Sequence, residues 1–139
     1  MSAEDNKALI KRYVDLVNKR QFDQLDSVLA SNYSHHDPAL PPEMQKGIEG
    51  HKLLVGMFVG GFPDLTGTIE GVIADESQVC ARFSWKGTHS GELMGVAPTG
   101  KTATINDMGM YRVENGRIVE GWVIFDAMGM MQQLGVGQG

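Results

Sequence analysis

Two strand-like segments joined by a glycine turn, near the carboxyl end, constrain the fold of this chain most strongly. Apolar side chains recur at alternate positions over 102–113 and 117–125, on either side of Glu114-Asn115-Gly116. A period of two is typical of strands in a half-buried sheet, and Asn-Gly is a strong hairpin signal. The pattern predicts a long antiparallel hairpin.

The first half of the chain has a helical period instead. Ser2 and Asp5 resemble a capping box, and Ile10, Tyr13 and Val14 begin one apolar helix face. The polar, proline-bearing segment 31–46 is interpreted as an ordered loop. We predict helices over 3–19, 22–30, 47–59 and 127–134, and further strands over 66–74 and 79–86. Helices followed by a meander of strands predict an α+β domain, with helices packed on one face of an antiparallel sheet.

The amino-acid composition excludes some classes of function. The 139 residues fit a single domain, 1–139, and the net charge of −5 with scattered basic residues argues against nucleic-acid binding. Cys80 is the single cysteine, which excludes an intrachain disulfide and suits a reducing compartment. The first residues lack a signal-peptide core, and no apolar run approaches membrane-spanning length. We therefore expect a cytoplasmic protein without membrane contact.

Several motifs occur together in a recognisable order. They are Tyr33-Ser34-His35-His36-Asp37-Pro38, Phe62-Pro63-Asp64-Leu65, Gly87-Thr88-His89-Ser90-Gly91, Pro98-Thr99-Gly100, Tyr111-Arg112, Asn115-Gly116-Arg117-Ile118-Val119-Glu120 and Gln132-Gln133-Leu134-Gly135. In this order and spacing, the chain resembles the SnoaL-like polyketide (ester) cyclases of the nuclear transport factor 2-like superfamily. The resemblance covers nearly the whole chain.

The resemblance implies a cone-shaped, cystatin-like α+β fold. A curved antiparallel sheet is packed by three amino-terminal helices, closed by a short carboxyl-terminal helix, and surrounds a pocket. It also implies a cofactor-independent reaction in which an aspartate on the last strand moves protons. Here the family's Glu-His-Trp-Asp reads Glu120-Gly121-Trp122-Val123, and Gly109 stands where some cyclases have another histidine. Val123 therefore occupies the place of the expected acid, and the fold does not determine the chemistry.

Asp107 is the carboxylate that we expect to replace the missing aspartate, from the neighbouring strand. A two-residue turn at Asn115-Gly116 places Asp107 opposite Ile124, on the face of Gly109 and Trp122. A three-residue loop with a glycine bulge places it opposite Val123, on the pocket face, and we prefer this second register. Burial there raises the pKa of a carboxyl group. The alternative is an aspartate that only hydrogen-bonds nearby backbone or an arginine.

Four histidines are the remaining polar candidates. We predict a catalytic role for His36 and a substrate contact for His35 at the pocket mouth, or else a role for both in ordering their loop. His89 is a candidate substrate donor or a loop anchor, and His51 has the spacing of an exposed helix residue. The histidine spacings match no metal-binding motif, so we expect no metal. The resemblance implies no cofactor.

These residues predict a pocket for a small apolar molecule. Its expected wall, besides the histidines, is Trp85, Met108, Trp122, Val123 and Phe125. The leading hypothesis is a cyclase- or isomerase-type enzyme acting on a small apolar carbonyl or ester compound. The alternatives are a non-catalytic binding protein of the same fold and an epoxide-hydrolase-like enzyme. The superfamily resemblance also implies a homodimer formed through the sheet, near Arg82, Ser84 and Lys86.

Overall fold

The computed structural model describes residues 2–136 and has the α+β fold expected from the sequence. A curved, five-stranded sheet has the strand order β1-β5-β4-β3-β2, with the helices packed against it. The elements are α1 (Ala3–Asn18), a 3₁₀ helix (Phe22–Ser27), β1 (Leu29–His36), a 3₁₀ helix (Pro42–Met44), α2 (Gly47–Gly61), β2 (Thr66–Ala74), β3 (Gln78–Thr88), β4 (Thr102–Glu114), β5 (Arg117–Phe125) and α3 (Ala127–Gln133).

Helix α1 begins at the predicted capping box. The Ser2 hydroxyl accepts a hydrogen bond from the Asp5 amide at 3.1 Å, and the Asp5 carboxylate accepts one from the Ser2 amide at 3.2 Å. These bonds satisfy amide groups that a helix start otherwise leaves without partners. The apolar side chains of Ile10 and Val14 are buried against the sheet.

The β4–β5 hairpin contains the predicted Asn-Gly turn and an additional bulge. Asn115 and Gly116 have φ angles of 52° and 74°, which is the left-handed pair of a type I′ turn. Val113 pairs with Ile118, but the preceding residue on β4 pairs with Glu120, so Val119 is an extra residue in β5. The bulge shifts the register beyond the turn by one residue.

Strand β1 corrects two expectations. The second predicted helix, over 22–30, is a 3₁₀ helix that ends at Ser27. A strand from Leu29 to His36 replaces the end of that predicted helix and the start of the expected loop over 31–46. It runs parallel to β5, with His35 opposite Gly121. Pairing with a strand far along the chain outweighs the local preference for a loop here. The sheet is therefore mixed rather than wholly antiparallel.

Two groups of buried apolar side chains fill the space between the helices and the sheet. One is centred on α1, β3 and the hairpin, and the other on α2, α3 and the start of β4. An internal cavity is lined by members of both groups. Within residues 2–136, no helix combines the length and apolar character needed to span a bilayer.

Candidate active site

The cavity lies between the inner face of the sheet and helices α1 and α2. The space open to the centres of water molecules is about 80 Å³, several times the roughly 10–15 Å³ that one water requires. Most of its wall is aliphatic or aromatic, and a few polar groups interrupt it. Such a composition is typical of sites for small apolar ligands. Its polar side chains are Tyr13, Tyr33, His35, Asp37, His51, Trp85, Asp107 and Tyr111.

Asp107 lies on the inner face of β4 and lines the cavity. Its Oδ2 atom accepts a hydrogen bond of 3.1 Å from the indole Nε1 of Trp85. Its Oδ1 atom is buried and has no hydrogen-bond partner among the described residues. Burial raises the pKa of Asp107 to about 7, and the charge of Asp37 adds to this, while the Trp85 bond opposes it. The carboxyl group therefore exchanges a proton near neutral pH.

The hairpin register explains why Asp107 faces inward. Asp107 pairs with Phe125 on β5, rather than with Ile124 or Val123 as in the two predicted registers. The three-residue loop that we preferred is wrong, but the structure combines the two-residue turn with the pocket-facing aspartate expected from that loop. Both occur together because the extra residue Val119 reverses the facing that the turn alone would produce.

Two glycines on the inner face lie directly beneath tyrosine rings. A Cβ atom built on Gly109 would be 2.7 Å from the Tyr111 hydroxyl, and one on Gly121 would be 2.6 Å from the Tyr33 hydroxyl and 2.8 Å from the Tyr111 ring. Separations below 3.0 Å are not tolerated by real Cβ atoms. The glycines at these positions therefore allow the aromatic rings to lie close to the strands.

Two tyrosine–histidine pairs form another part of the cavity wall. The Tyr33 hydroxyl is 2.8 Å from His35 Nδ1, and the Tyr13 hydroxyl is 2.5 Å from His51 Nε2. Burial lowers the pKa of His35 to about 4 and that of His51 to about 3, and each is lowered further by a neighbouring histidine. Both imidazoles are neutral at pH 7, so each offers one ring nitrogen as a donor and one as an acceptor.

Asp37 lies where the chain leaves β1 and also lines the cavity. Its Oδ1 accepts a hydrogen bond of 2.9 Å from the Ala39 amide, and its own amide donates to Gln45 Oε1 at 3.3 Å. Burial raises the pKa of Asp37, against the lowering effect of the Ala39 bond. The side chain thus orders the loop after β1, which agrees with the loop-ordering alternative for this motif.

Three predicted site residues lie outside the cavity. His36, Met108 and Trp122 are exposed on the outer face of the sheet, the face turned away from α1 and α2. His36 Nε2 is 2.7 Å from Glu120 Oε2, and its ring stacks on Trp122 at 5.5 Å. The structure therefore contradicts the cavity contacts that we expected for these three residues. Neighbouring strand residues point to opposite faces, so His36 and His35 cannot both enter the cavity.

His89 also lies away from the cavity. Its Nδ1 atom is 3.1 Å from the Thr99 hydroxyl and accepts a hydrogen bond of 3.2 Å from the Thr99 amide. The ring is fully buried and packs against Phe62 at 5.6 Å. This geometry matches the loop-anchor alternative and not the substrate contact.

The other predicted contacts are gathered around the cavity. His35, Trp85, Val123 and Phe125 line it together with Asp107. The sequence reasoning missed the three tyrosines and His51, which is 3% exposed rather than on the surface. Alternation along β4 and β5, counted from Asp107, would have placed Tyr111 on the inner face and Trp122 on the outer face.

Comparisons with known proteins identify the class. The sequence model described as SnoaL-like polyketide cyclase matches residues 7–134, and the chain belongs to this family. IdmH of Streptomyces antibioticus, described as a candidate polyketide cyclase, is 32% identical, with a TM-score of 0.82 over 94% of this chain and 98% of IdmH.

Two other solved structures are similar over comparable lengths. A candidate polyketide cyclase from Acidithiobacillus ferrooxidans is 28% identical, with a TM-score of 0.83 and 94% of each chain covered. AclR of Streptomyces galilaeus, described as a candidate hydroxylase, is 25% identical, with a TM-score of 0.84 over 96% of this chain and 87% of AclR. The comparison with curated protein sequences gave no significant match.

Proposed function

We propose that this protein is a cofactor-independent enzyme that moves a proton on a small apolar carbonyl or ester compound, in a cyclisation or isomerisation. One observation carries this proposal. An ionisable carboxyl group, that of Asp107, lies in an apolar cavity although the last strand has Val123 at the expected acid position.

The state of this carboxyl group suits acid–base chemistry. A general base works best when its pKa is close to the operating pH, and the pKa of Asp107 is raised to about 7. The Trp85 indole holds one carboxyl oxygen, and the other has hydrogen-bonding capacity left over. A substrate proton near Oδ1 would meet a base that is oriented and weakly solvated.

The relatives support the reaction class. IdmH and the Acidithiobacillus protein are both described as candidate polyketide cyclases, and a cyclisation of the aldol type begins with removal of a proton next to a carbonyl. The small, largely apolar cavity favours compact substrates with few oxygen atoms.

The test is α-proton exchange. We would incubate 2-tetralone and a panel of small cyclic ketones and esters with the protein in D₂O and follow deuterium incorporation by NMR. The wild-type protein should exchange α-protons above background, and Asp107→Asn should abolish the excess. Asp15→Asn, a change of the same chemistry at an exposed position of α1, should exchange at the wild-type rate.

A binding protein is the second candidate, and it is favoured by Val123, which presents carbon to the cavity where the family acid is expected. Ligands that bind the folded state raise its melting temperature. If no compound of the panel exchanges or turns over while apolar compounds raise the melting temperature, the enzymatic proposal is wrong and the binding function stands.

A further inference from the structure

We propose that the hydroxyl group of Tyr111 is a second catalytic group of the cavity, donating a hydrogen bond to the substrate oxygen that gains negative charge when Asp107 removes a proton. This inference rests on the proposed function, because it assigns a role in the same proton transfer. It also predicts binding behaviour that can be measured without any turnover.

The position of the hydroxyl comes from Gly109. Tyr111, Gly109 and Asp107 follow one another at alternate positions of β4, all on its inner face. The Tyr111 hydroxyl lies over Gly109, 2.7 Å from where a Cβ atom would be. Residues two apart on a strand are separated by about 6.5 Å, so the phenol oxygen points along the strand toward Asp107. In the proposed complex, one polar group of the ligand lies between this hydroxyl and the Asp107 carboxyl group.

The Tyr111 ring is held in this orientation by its surroundings. It also lies over Gly121 on β5, where a Cβ atom would be 2.8 Å from the ring. Phe83 contacts it edge-on, with ring centres 6.4 Å apart. Burial raises the pKa of Tyr111 well above its usual range, and the nearby Asp107 charge raises it further. The hydroxyl therefore keeps its proton and remains a donor.

Hydrogen bonding distinguishes Tyr111 from the other two cavity tyrosines. The hydroxyls of Tyr13 and Tyr33 are each bound to a histidine ring nitrogen. Among the bonds formed by residues 2–136, none involves the Tyr111 hydroxyl. Asp107 Oδ1 likewise has no partner. Two residues of one strand that line the same cavity thus have a donor and an acceptor without partners, and a buried polar atom such as Asp107 Oδ1 normally has one. A ligand that accepts a hydrogen bond from the Tyr111 hydroxyl and places a proton beside Asp107 Oδ1 gives both groups a partner.

The chemistry balances without any further reactant. The Asp107 carboxylate takes the α-proton, the C–H electron pair forms a carbon–carbon double bond, and the carbonyl π electrons move to oxygen. The Tyr111 hydroxyl donates to this enolate oxygen while keeping its proton. Protonated Asp107 then returns the proton to carbon, or the enolate carbon attacks an electrophile within the same molecule. A donor aimed at developing charge in a poorly solvated site is a large contributor to catalysis.

The first test separates the role of Tyr111 from that of Asp107 in the 2-tetralone exchange experiment. Tyr111→Phe removes only the oxygen atom and should lower the exchange rate by about 10²–10³-fold, with a much smaller change in KM. Tyr33→Phe, whose hydroxyl is bound to His35, should lower the rate less. If Tyr111→Phe exchanges at the wild-type rate while Asp107→Asn is inactive, this inference is wrong and the proposed function stands.

A second variant moves the hydroxyl instead of removing it. Gly109→Ala places a methyl group against the Tyr111 hydroxyl and ring and should lower the exchange rate by a similar factor. Gly71→Ala is the matched control, since it is also a strand glycine and nothing lies within 4 Å of its Cβ position. Circular dichroism and melting curves would establish that both variants fold. A fully active, folded Gly109→Ala protein would contradict the placement of the hydroxyl.

The third test needs no reaction. The anion of 2-naphthol resembles an enolate, with charge on one oxygen beside a flat ring. Wild-type protein should bind it at least about tenfold more tightly than Tyr111→Phe, because charge-assisted hydrogen bonds are strong. Equal affinities would overturn the inference. If the wild-type protein exchanges no ketone but shows this difference, the catalytic proposal fails and Tyr111 remains an oxygen-binding group.

Discussion

The indole Nε1 of Trp85 donates a hydrogen bond of 3.1 Å to Oδ2 of Asp107, joining two neighbouring strands above the cavity. This bond stabilises the carboxylate form and opposes the effect of burial on the pKa of Asp107. The same bond orients the carboxyl group, so that one oxygen is held while the other has no hydrogen-bond partner among the described residues.

Replacement of this indole changes the acidity of Asp107. In Trp85→Phe the bond is lost and the pKa of Asp107 should rise above 7. The rise should be up to about one pH unit, since a typical hydrogen bond contributes roughly 0.5–1.5 kcal/mol and one unit corresponds to about 1.36 kcal/mol. Carbon-13 NMR of the Asp107 carboxyl would measure it. Trp122→Phe, on the outer face, is the matched control, and an unchanged pKa in Trp85→Phe would contradict the prediction.

Removal of the Asp107 charge should stabilise the protein at neutral and higher pH. The pKa is about 7 in the folded state and near 3.8 in the unfolded state, so the folded state binds the extra proton between these values. Wild-type stability from this group is therefore present below pH 4 and is lost as the pH rises through 7. The unfolding free energy of Asp107→Asn relative to wild type should increase by on the order of 4 kcal/mol from pH 4 to pH 8. Urea titrations across this range measure it, and a constant difference would contradict it.

His51 should contribute to acid unfolding. Its pKa is lowered to about 3 by burial, so the unfolded state binds a proton below pH 6.5 that the folded state excludes. The associated stability is complete above pH 6.5 and is lost as the pH falls toward 3. His51→Gln should lower stability at pH 7 by about 1–3 kcal/mol through loss of the Tyr13 contact. It should also weaken the decline in stability between pH 6.5 and 4, as measured by chemical denaturation. A decline as steep as that of the wild-type protein would contradict the prediction, because protonation of His51 would then not destabilise the folded state.

The outer face of the sheet should mediate the expected homodimer. Met108, Met110, Trp122 and Ile124 expose large apolar surfaces side by side on β4 and β5, whereas Arg82 and Ser84 border them on β3. Contiguous apolar surface of this kind is typical of protein–protein contacts. We expect the wild-type protein to sediment as a dimer at micromolar concentration, and Met108→Lys with Ile124→Glu to sediment as a monomer. A monomeric wild-type protein would contradict this.

Local patterns predicted most of the fold. Helix α1 and strand β2 depend on capping and alternation within short segments, and the structure confirms them. Asn-Gly chemistry located the hairpin correctly, although the three-residue loop preferred there is wrong. Strand β1 was missed because its partner is β5, and pairing between distant segments leaves little local signal. The bulge at Val119 was missed for the same reason.

The site was harder to predict than the fold. His51 was expected to be exposed from its spacing on the helix, yet α2 is apolar on most sides and its period does not identify one buried face. In the structure Leu53 is 55% exposed and His51 is buried. Asp107 was selected from the sequence, but its inward facing depends on the combination of a two-residue turn and a bulge at Val119.

The parallel partner of β1 is β5, which is synthesised after β2, β3 and β4. Leu29 pairs with Ile118, and within residues 2–136 β1 is an edge of the sheet that pairs with β5. A nascent chain on the ribosome therefore carries this strand with its hydrogen-bonding edge unsatisfied until the final strand has left the exit tunnel. Completion of the cavity wall formed by Tyr33 and His35 must then be among the last events of folding, and it is exposed to competition from chaperones and aggregation until that moment.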